Sequence, residues 1–239
     1  MSDGTLYGIG LGPGDPGLVT VQAAGLIGRL NLLCIPRVRG RAKSAALDIL
    51  KGLADLSGKD ILFADYPLTR DGRSRETFWD EFADTLAARL ADGDDIGYCT
   101  IGDPLVYSTW GRLLRAMRGR NVRTATVPGL SSFSVAAARA GMPLAESEGG
   151  FTVCPASGGM DALADAIDRS DCTVIMKIGN RYGDVVALLR EKGLLSSSLY
   201  AGRVGTPQER IEMNPPGPIS DEGDRGDLSL IIVRRGWHR

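Results

Sequence analysis

Apolar positions along the first half of the chain follow two alternating periods. Short apolar runs at 6–11, 32–36, 60–64, 95–100 and 123–127 have the length of buried strands. Between them, residues 19–32, 44–56, 77–91 and 110–118 place apolar side chains at helical spacing. Strands alternating with helices predict a mostly parallel five-stranded sheet with helices on both faces. Parallel neighbours need a crossover, and the crossing helix covers the sheet. After Pro128-Gly129 a helix of small residues, 131–140, leads to strand-like runs at 151–155, 173–178, 199–201 and 228–234. The pattern reads as an α/β chain of two domains, 1–128 and 129–239, the second smaller and built on a mixed sheet.

Composition narrows the function classes. The 239 residues, 43% hydrophobic and 24% charged, suit a globular protein of one large or two modest domains. The 28 Lys+Arg and 29 Asp+Glu leave a formal charge of −1, which excludes a globally basic nucleic-acid binder. No apolar run approaches the ~20 residues of a membrane helix. The N-terminus lacks a basic segment followed by an apolar one, so a cytoplasmic protein is expected. Cys34, Cys99, Cys154 and Cys172 form no CxxC pair and no zinc spacing, and read as small buried hydrophobes. The only histidine, His238, lies at the C-terminus, a poor foundation for a Ser-His-Asp triad or a multi-His metal site. No bound metal is expected.

Gly12, Gly14 and Gly17 satisfy GxGxxG at the first strand-to-helix turn, which invites a dinucleotide reading. Asp15 opposes it, since a pyrophosphate on that helix N-terminus would meet another negative charge. The acidic residue expected after the second strand is also replaced, by Pro36-Arg37. Asp15 reads instead as a helix N-cap. A second Gly-Asp-Pro stands at Gly102-Asp103-Pro104, again after a strand, and there Asp103 reads either as a helix cap or as a ligand group. Two acidic, glycine-bearing loops at the carboxyl edge of a sheet suit a cationic or hydroxyl-rich ligand.

These segments resemble the tetrapyrrole methylases. The likeness is carried by Gly8-Ile9-Gly10-Leu11-Gly12-Pro13-Gly14-Asp15-Pro16, Gly102-Asp103-Pro104-Leu105-Val106-Tyr107, Val127-Pro128-Gly129-Leu130-Ser131-Ser132 and Gly205-Thr206-Pro207-Gln208-Glu209-Arg210. Two further segments, Pro36-Arg37-Val38-Arg39-Gly40-Arg41-Ala42-Lys43-Ser44 and Tyr66-Pro67-Leu68-Thr69-Arg70-Asp71, look like the branch that methylates C20 of precorrin-2. The resemblance implies S-adenosylmethionine as methyl donor, held in a cleft between the two domains. By motif match, Pro13, Ile101, Gly102, Asp103, Val106, Ser131 and Ser132 would line it, with Ile178, Gly205 and Thr206 closing on the adenine. Ser131 and Ser132 have an alternative as an N-cap pair for the following helix, and Ile178 is equally a core residue.

A tetrapyrrole acceptor is an apolar ring edged by carboxylates, and arginine forks suit carboxylates. Arg39, Arg41 and Arg70 are the candidate substrate contacts, from the clusters Arg37/Arg39/Arg41/Lys43 and Arg70/Arg73/Arg75; solvated loop surface is the alternative. Methyl transfer from a sulfonium needs alignment and water exclusion rather than a covalent nucleophile, and no catalytic acid or base stands out. The resemblance further implies a homodimer. The rivals are a cobalt-containing acceptor, another ring position, a dinucleotide-dependent oxidoreductase, and a non-catalytic carrier or scaffold that holds a tetrapyrrole or a protein partner.

Overall fold

The computed structural model describes residues 4–69, 71–215 and 228–237. Contacts divide them into two compact units, with the division between Ser131 and Ser132.

The first unit alternates β1 (Thr5–Gly10), α1 (Val21–Arg29), β2 (Leu32–Val38), α2 (Ala45–Leu53), β3 (Asp60–Tyr66), α3 (Gly72–Ala91), β4 (Ile96–Thr100), α4 (Trp110–Ala116) and β5 (Arg123–Val127). The sheet is wholly parallel, in the order β3-β2-β4-β1-β5. Period-two alternation assigns each strand residue to a face. On β2, Leu32 and Cys34 join the core under α3 and α4, while Leu33 and Ile35 join the core under α1 and α2. Trp110 anchors the first of these cores. It is fully buried, its Nε1–H donates to Thr126 Oγ1 at 3.0 Å, and its indole occupies the space that a side chain at Gly8 would need.

Several boundaries differ from the sequence reading for local reasons. The expected helix at 19–32 is a 3-10 turn, Pro16–Leu18, followed by α1; Val19 is extended between them and Thr20 caps α1, its Oγ1 accepting the Ala23 N–H at 3.2 Å. Helix α3 begins at Gly72, five residues before the expected start, because Asp71 caps it by accepting the Arg73 and Ser74 amides. Strand β2 runs on to Val38, which places Arg37 in the sheet opposite Asp65 rather than in a loop. There Arg37 makes a two-point ion pair with Asp65, at 2.6 and 2.8 Å, and lies over the Phe63 ring.

The second unit holds α5 (Ser132–Ala140), β6 (Phe151–Pro155), α6 (Met160–Arg169), β7 (Cys172–Met176), α7 (Tyr182–Glu191), β8 (Ser198–Gly202), β9 (Arg210–Met213) and β10 (Ser229–Arg234). Its sheet is mixed, in the order β6-β7-β10-β8-β9. Only the β6–β7 pair among neighbours is parallel. Strand β9 and helices α6 and α7 are additions to the sequence reading. Strand β7 ends at Met176, so Ile178 lies beyond it.

Candidate functional site

In the first unit the carboxyl ends of β4, β1 and β5 are neighbours, and their loops meet through backbone. Gly12 and Gly102 form an antiparallel bridge: the Gly12 N–H donates to the Gly102 carbonyl at 3.3 Å and the Gly102 N–H returns to Gly12 at 2.7 Å. Both have left-handed φ angles, +69° and +70°, which favour glycine. A Cβ on Gly129 would stand 2.3 Å from the Gly102 carbonyl oxygen, and one on Gly10 would stand 2.5 Å from the Gly129 nitrogen. Glycines here thus permit three loops to touch, a purpose the GxGxxG spacing alone does not disclose.

Asp103 locks this junction. Its Oδ1 accepts the Leu105 N–H at 2.8 Å and its Oδ2 accepts the Gly129 N–H at 3.1 Å. The helix-cap reading of Asp103 is therefore corrected: α4 begins at Trp110, with Thr109 in the N-cap position. Asp15 does cap, but it caps the 3-10 turn, accepting the Gly17 N–H at 2.8 Å.

Pro13 is buried; Ile101, Gly102, Asp103, Val106 and Ser131 are half-buried around the same strand ends. A Cβ on Gly102 would meet nothing within 4 Å, so its outward side faces open space. Thr100, 3% exposed at the tip of β4, has an Oγ1 without a hydrogen-bond partner among the described residues. Two carboxylate oxygens offer about four lone-pair directions, and Asp103 uses two. The junction thus fits a ligand with an ammonium or hydroxyls to donate, and it repels polyphosphate through Asp15 and Asp103. A donor carrying an amino acid and a ribose, as S-adenosylmethionine does, matches that set.

The remaining expected cofactor residues belong to the second unit. Ser132 opens α5. Ile178 is 1% exposed and packs in the core with Tyr182 and Val185, flanked by Lys177 and Gly179 at φ +53° and +51°. Its side chain is committed to packing, and these unusual backbone angles mark the turn. The polar groups of Gly205 and Thr206 also hold their own turn. The Gly205 N–H donates to Glu209 Oε2 at 2.7 Å, and Thr206 Oγ1 donates to the Arg203 carbonyl at 2.8 Å while accepting the Gln208 N–H at 3.2 Å. Glu209 in turn pairs with Arg139 of α5 at 3.6 Å, tying this turn to the helix that Ser132 opens.

Arg39 and Arg41 are exposed beyond β2; Arg70 and His238 lie outside the described residues. Arg73 and Arg75 sit in the first turn of α3, not in a loop. Arg39, Arg73, Ser74, Thr77 and Phe78 share one open pocket. The clue in the sequence was the i, i+4 spacing of Arg73 and Thr77, which shares a helix face only if the helix starts before residue 73. Among the described residues no group of three His, Cys, Asp or Glu could hold a metal, and no helix is long and apolar enough to cross a membrane.

The family profile described as Tetrapyrrole (Corrin/Porphyrin) Methylases matches residues 5–217. The chain is 33% identical to a cobalt-precorrin-2 C(20)-methyltransferase of Salmonella typhimurium over 237 residues, 98% of each chain. It is 28% identical to a precorrin-2 C(20)-methyltransferase of Sinorhizobium sp, covering 98% of this chain and 96% of that one. Among solved structures, a uroporphyrin-III C-methyl transferase from Thermus thermophilus, complexed with S-adenyl homocysteine, shares the fold with a TM-score of 0.67 and 21% identity, covering 97% of this chain and 92% of that one.

Proposed function

The chain belongs to the tetrapyrrole (corrin/porphyrin) methylases, and from that premise we propose that it transfers a methyl group from S-adenosylmethionine to C20 of precorrin-2, giving precorrin-3A. The observation that carries the reading is the Asp103 carboxylate, fastened between Leu105 and Gly129 where three strand ends meet. A fixed acceptor beside open backbone receives an ammonium or ribose hydroxyl through charge-assisted hydrogen bonds.

When bound, the donor would supply a sulfonium methyl that the ring carbon attacks in line, with S-adenosylhomocysteine leaving as the neutral thioether and a ring proton released to solvent. The protein's own work is placement. Asp103, Gly102 and Pro13 hold and shape one side of the donor, and Ile101 and Val106 contribute apolar surface that keeps water from the reacting carbon. Ser131 lies by the same strand ends, Ser132 opens α5, and Ile178, Gly205 and Thr206 lie in turns of the second unit. The electron-rich ring provides the nucleophile, so no side chain need act as a covalent partner.

A second reading, the cobalt-containing ring as acceptor, is favoured by the higher identity to the Salmonella protein, 33% against 28%. One experiment tests both: precorrin-2 and its cobalt complex are each incubated with labelled S-adenosylmethionine, and the new methyl is located on the ring. A label at C20 supports the reading; transfer to another carbon, or no transfer to either ring, refutes it. A homodimer and a cytoplasmic location complete the proposal, and sedimentation velocity reads the former directly.

A further inference from the structure

The loop after β2 and the first turns of α3 enclose an open pocket of about 550 Å³. Arg39 enters it from the loop, its guanidinium carbon 6.0 Å from the Phe78 ring centroid. Arg73 and Thr77 enter from successive turns of α3, with Ser74 between them and Glu81 one further turn along. Neither Arg39 nor Arg73 has an ion pair among the described residues.

The acids that could neutralise them are occupied. Asp65, which feels the Arg39 charge, is held in the two-point pair with Arg37. Asp71 accepts the Arg73 and Ser74 amides and the Ser74 hydroxyl. The start of α3 adds the positive end of a helix of 20 residues. Glu81 is the one carboxylate on the pocket wall, so the pocket is positive at one end and negative at the other. Next to it Leu68, between Pro67 and Thr69 of the lining, is 74% exposed. A pair of cations, an aromatic face and an exposed aliphatic side chain together fit an apolar ring edged with carboxylates.

We propose that Arg73 acts with Arg39 to grip a peripheral carboxylate of the tetrapyrrole, with Thr77 as a hydroxyl donor, Phe78 against the adjoining ring surface, and Glu81 turning a second carboxylate away. This assignment rests on the methyltransferase reading above. It places substrate recognition on α3, on residues other than those of the Asp103 junction, so acceptor and donor binding separate experimentally.

The test is steady-state methylation of precorrin-2 by wild type, Arg73→Gln, Arg39→Gln and Glu81→Gln, alongside titration with S-adenosylhomocysteine. A lost charge-assisted contact on this scale corresponds to about a tenfold change. Arg73→Gln and Arg39→Gln are expected to raise KM for precorrin-2 about tenfold, with kcat within about twofold and S-adenosylhomocysteine affinity unchanged. Glu81→Gln is expected to lower KM, a change of opposite sign that a merely structural role would not produce. If all three variants keep the wild-type KM while the wild type turns over, the pocket assignment is overturned and the methyltransferase reading stands. If the wild type methylates no tetrapyrrole, that reading fails and takes the pocket with it.

Discussion

The amide of Gly129 donates a 3.1 Å hydrogen bond to Oδ2 of Asp103, 26 residues earlier in the chain. One carboxylate thereby joins the loop after β4 to the loop after β5, and its other oxygen holds its own loop through Leu105. Asp103→Ala should strand two amides and remove the acceptor together. We expect S-adenosylhomocysteine affinity to fall more than tenfold by calorimetry, and stability to fall by about 1–3 kcal/mol in urea unfolding. Asp103→Asn should weaken donor binding yet retain turnover at saturating donor. Abolition of the chemical step with both affinities intact would contradict catalysis by placement.

Gly129→Ala and Gly10→Ala both drive a Cβ into backbone at 2.3 and 2.5 Å. Backbone cannot rotate away as a side chain can, so each should cost about 1–3 kcal/mol or more and disturb donor binding. Gly111, exposed on α4 with nothing within 4 Å of an added Cβ, is the contrasting site. There Gly→Ala should be neutral or stabilising by about 0.5–1 kcal/mol. Thermal melts of the three variants distinguish steric loss from general glycine sensitivity.

The thiols should be silent in the folded protein. Burial raises Cys34 well above the usual thiol value, Cys99 to about 12 and Cys172 to about 11. Thiolate is the reactive form, so at pH 8 these three should resist Ellman's reagent over minutes, with all four titrating in guanidinium. Half-buried Cys154, also raised, should react first of the four. Rapid native reaction of Cys34 would contradict the packing under α3 and α4.

Arg37 holds the Asp65 carboxyl below its ordinary range. A carboxylate depressed in the folded state contributes stability above its unfolded pKa, about 3.9, and loses it as pH falls through the lower folded value. Wild type should therefore melt above Asp65→Asn by a constant margin from pH 6 to 8, and the margin should shrink below about pH 4. A margin that grows on acidification would reverse the assigned sign.

Strand and helix order in the first unit was readable because the apolar period switches cleanly between 2 and 3.6. Boundaries were less so, and each miss has a local cause. Arg37 looked like a loop cation until the register of β2 with β3 set it opposite Asp65. Helix α3 begins early because Asp71, not an apolar period, starts it. In the second unit β9 is only four residues long, Arg210–Met213, too short and too polar for periodicity to declare.

Legible along the chain alone was the class of donor to expect: acid-bearing glycine turns follow two parallel strands, a setting that suits a cationic donor better than a diphosphate. That expectation depends on charge and on local backbone freedom, which short motifs carry whole. Why the glycines are needed, and that Asp103 joins two loops, emerges only once the strands are assembled. Gly10, Gly12, Gly102 and Gly129 become neighbours only when β4, β1 and β5 line up in the sheet. The same holds for Arg39 and Arg73, which share a pocket because the loop after β2 meets the first turns of α3, and contacts between distant segments leave no periodic trace along the chain.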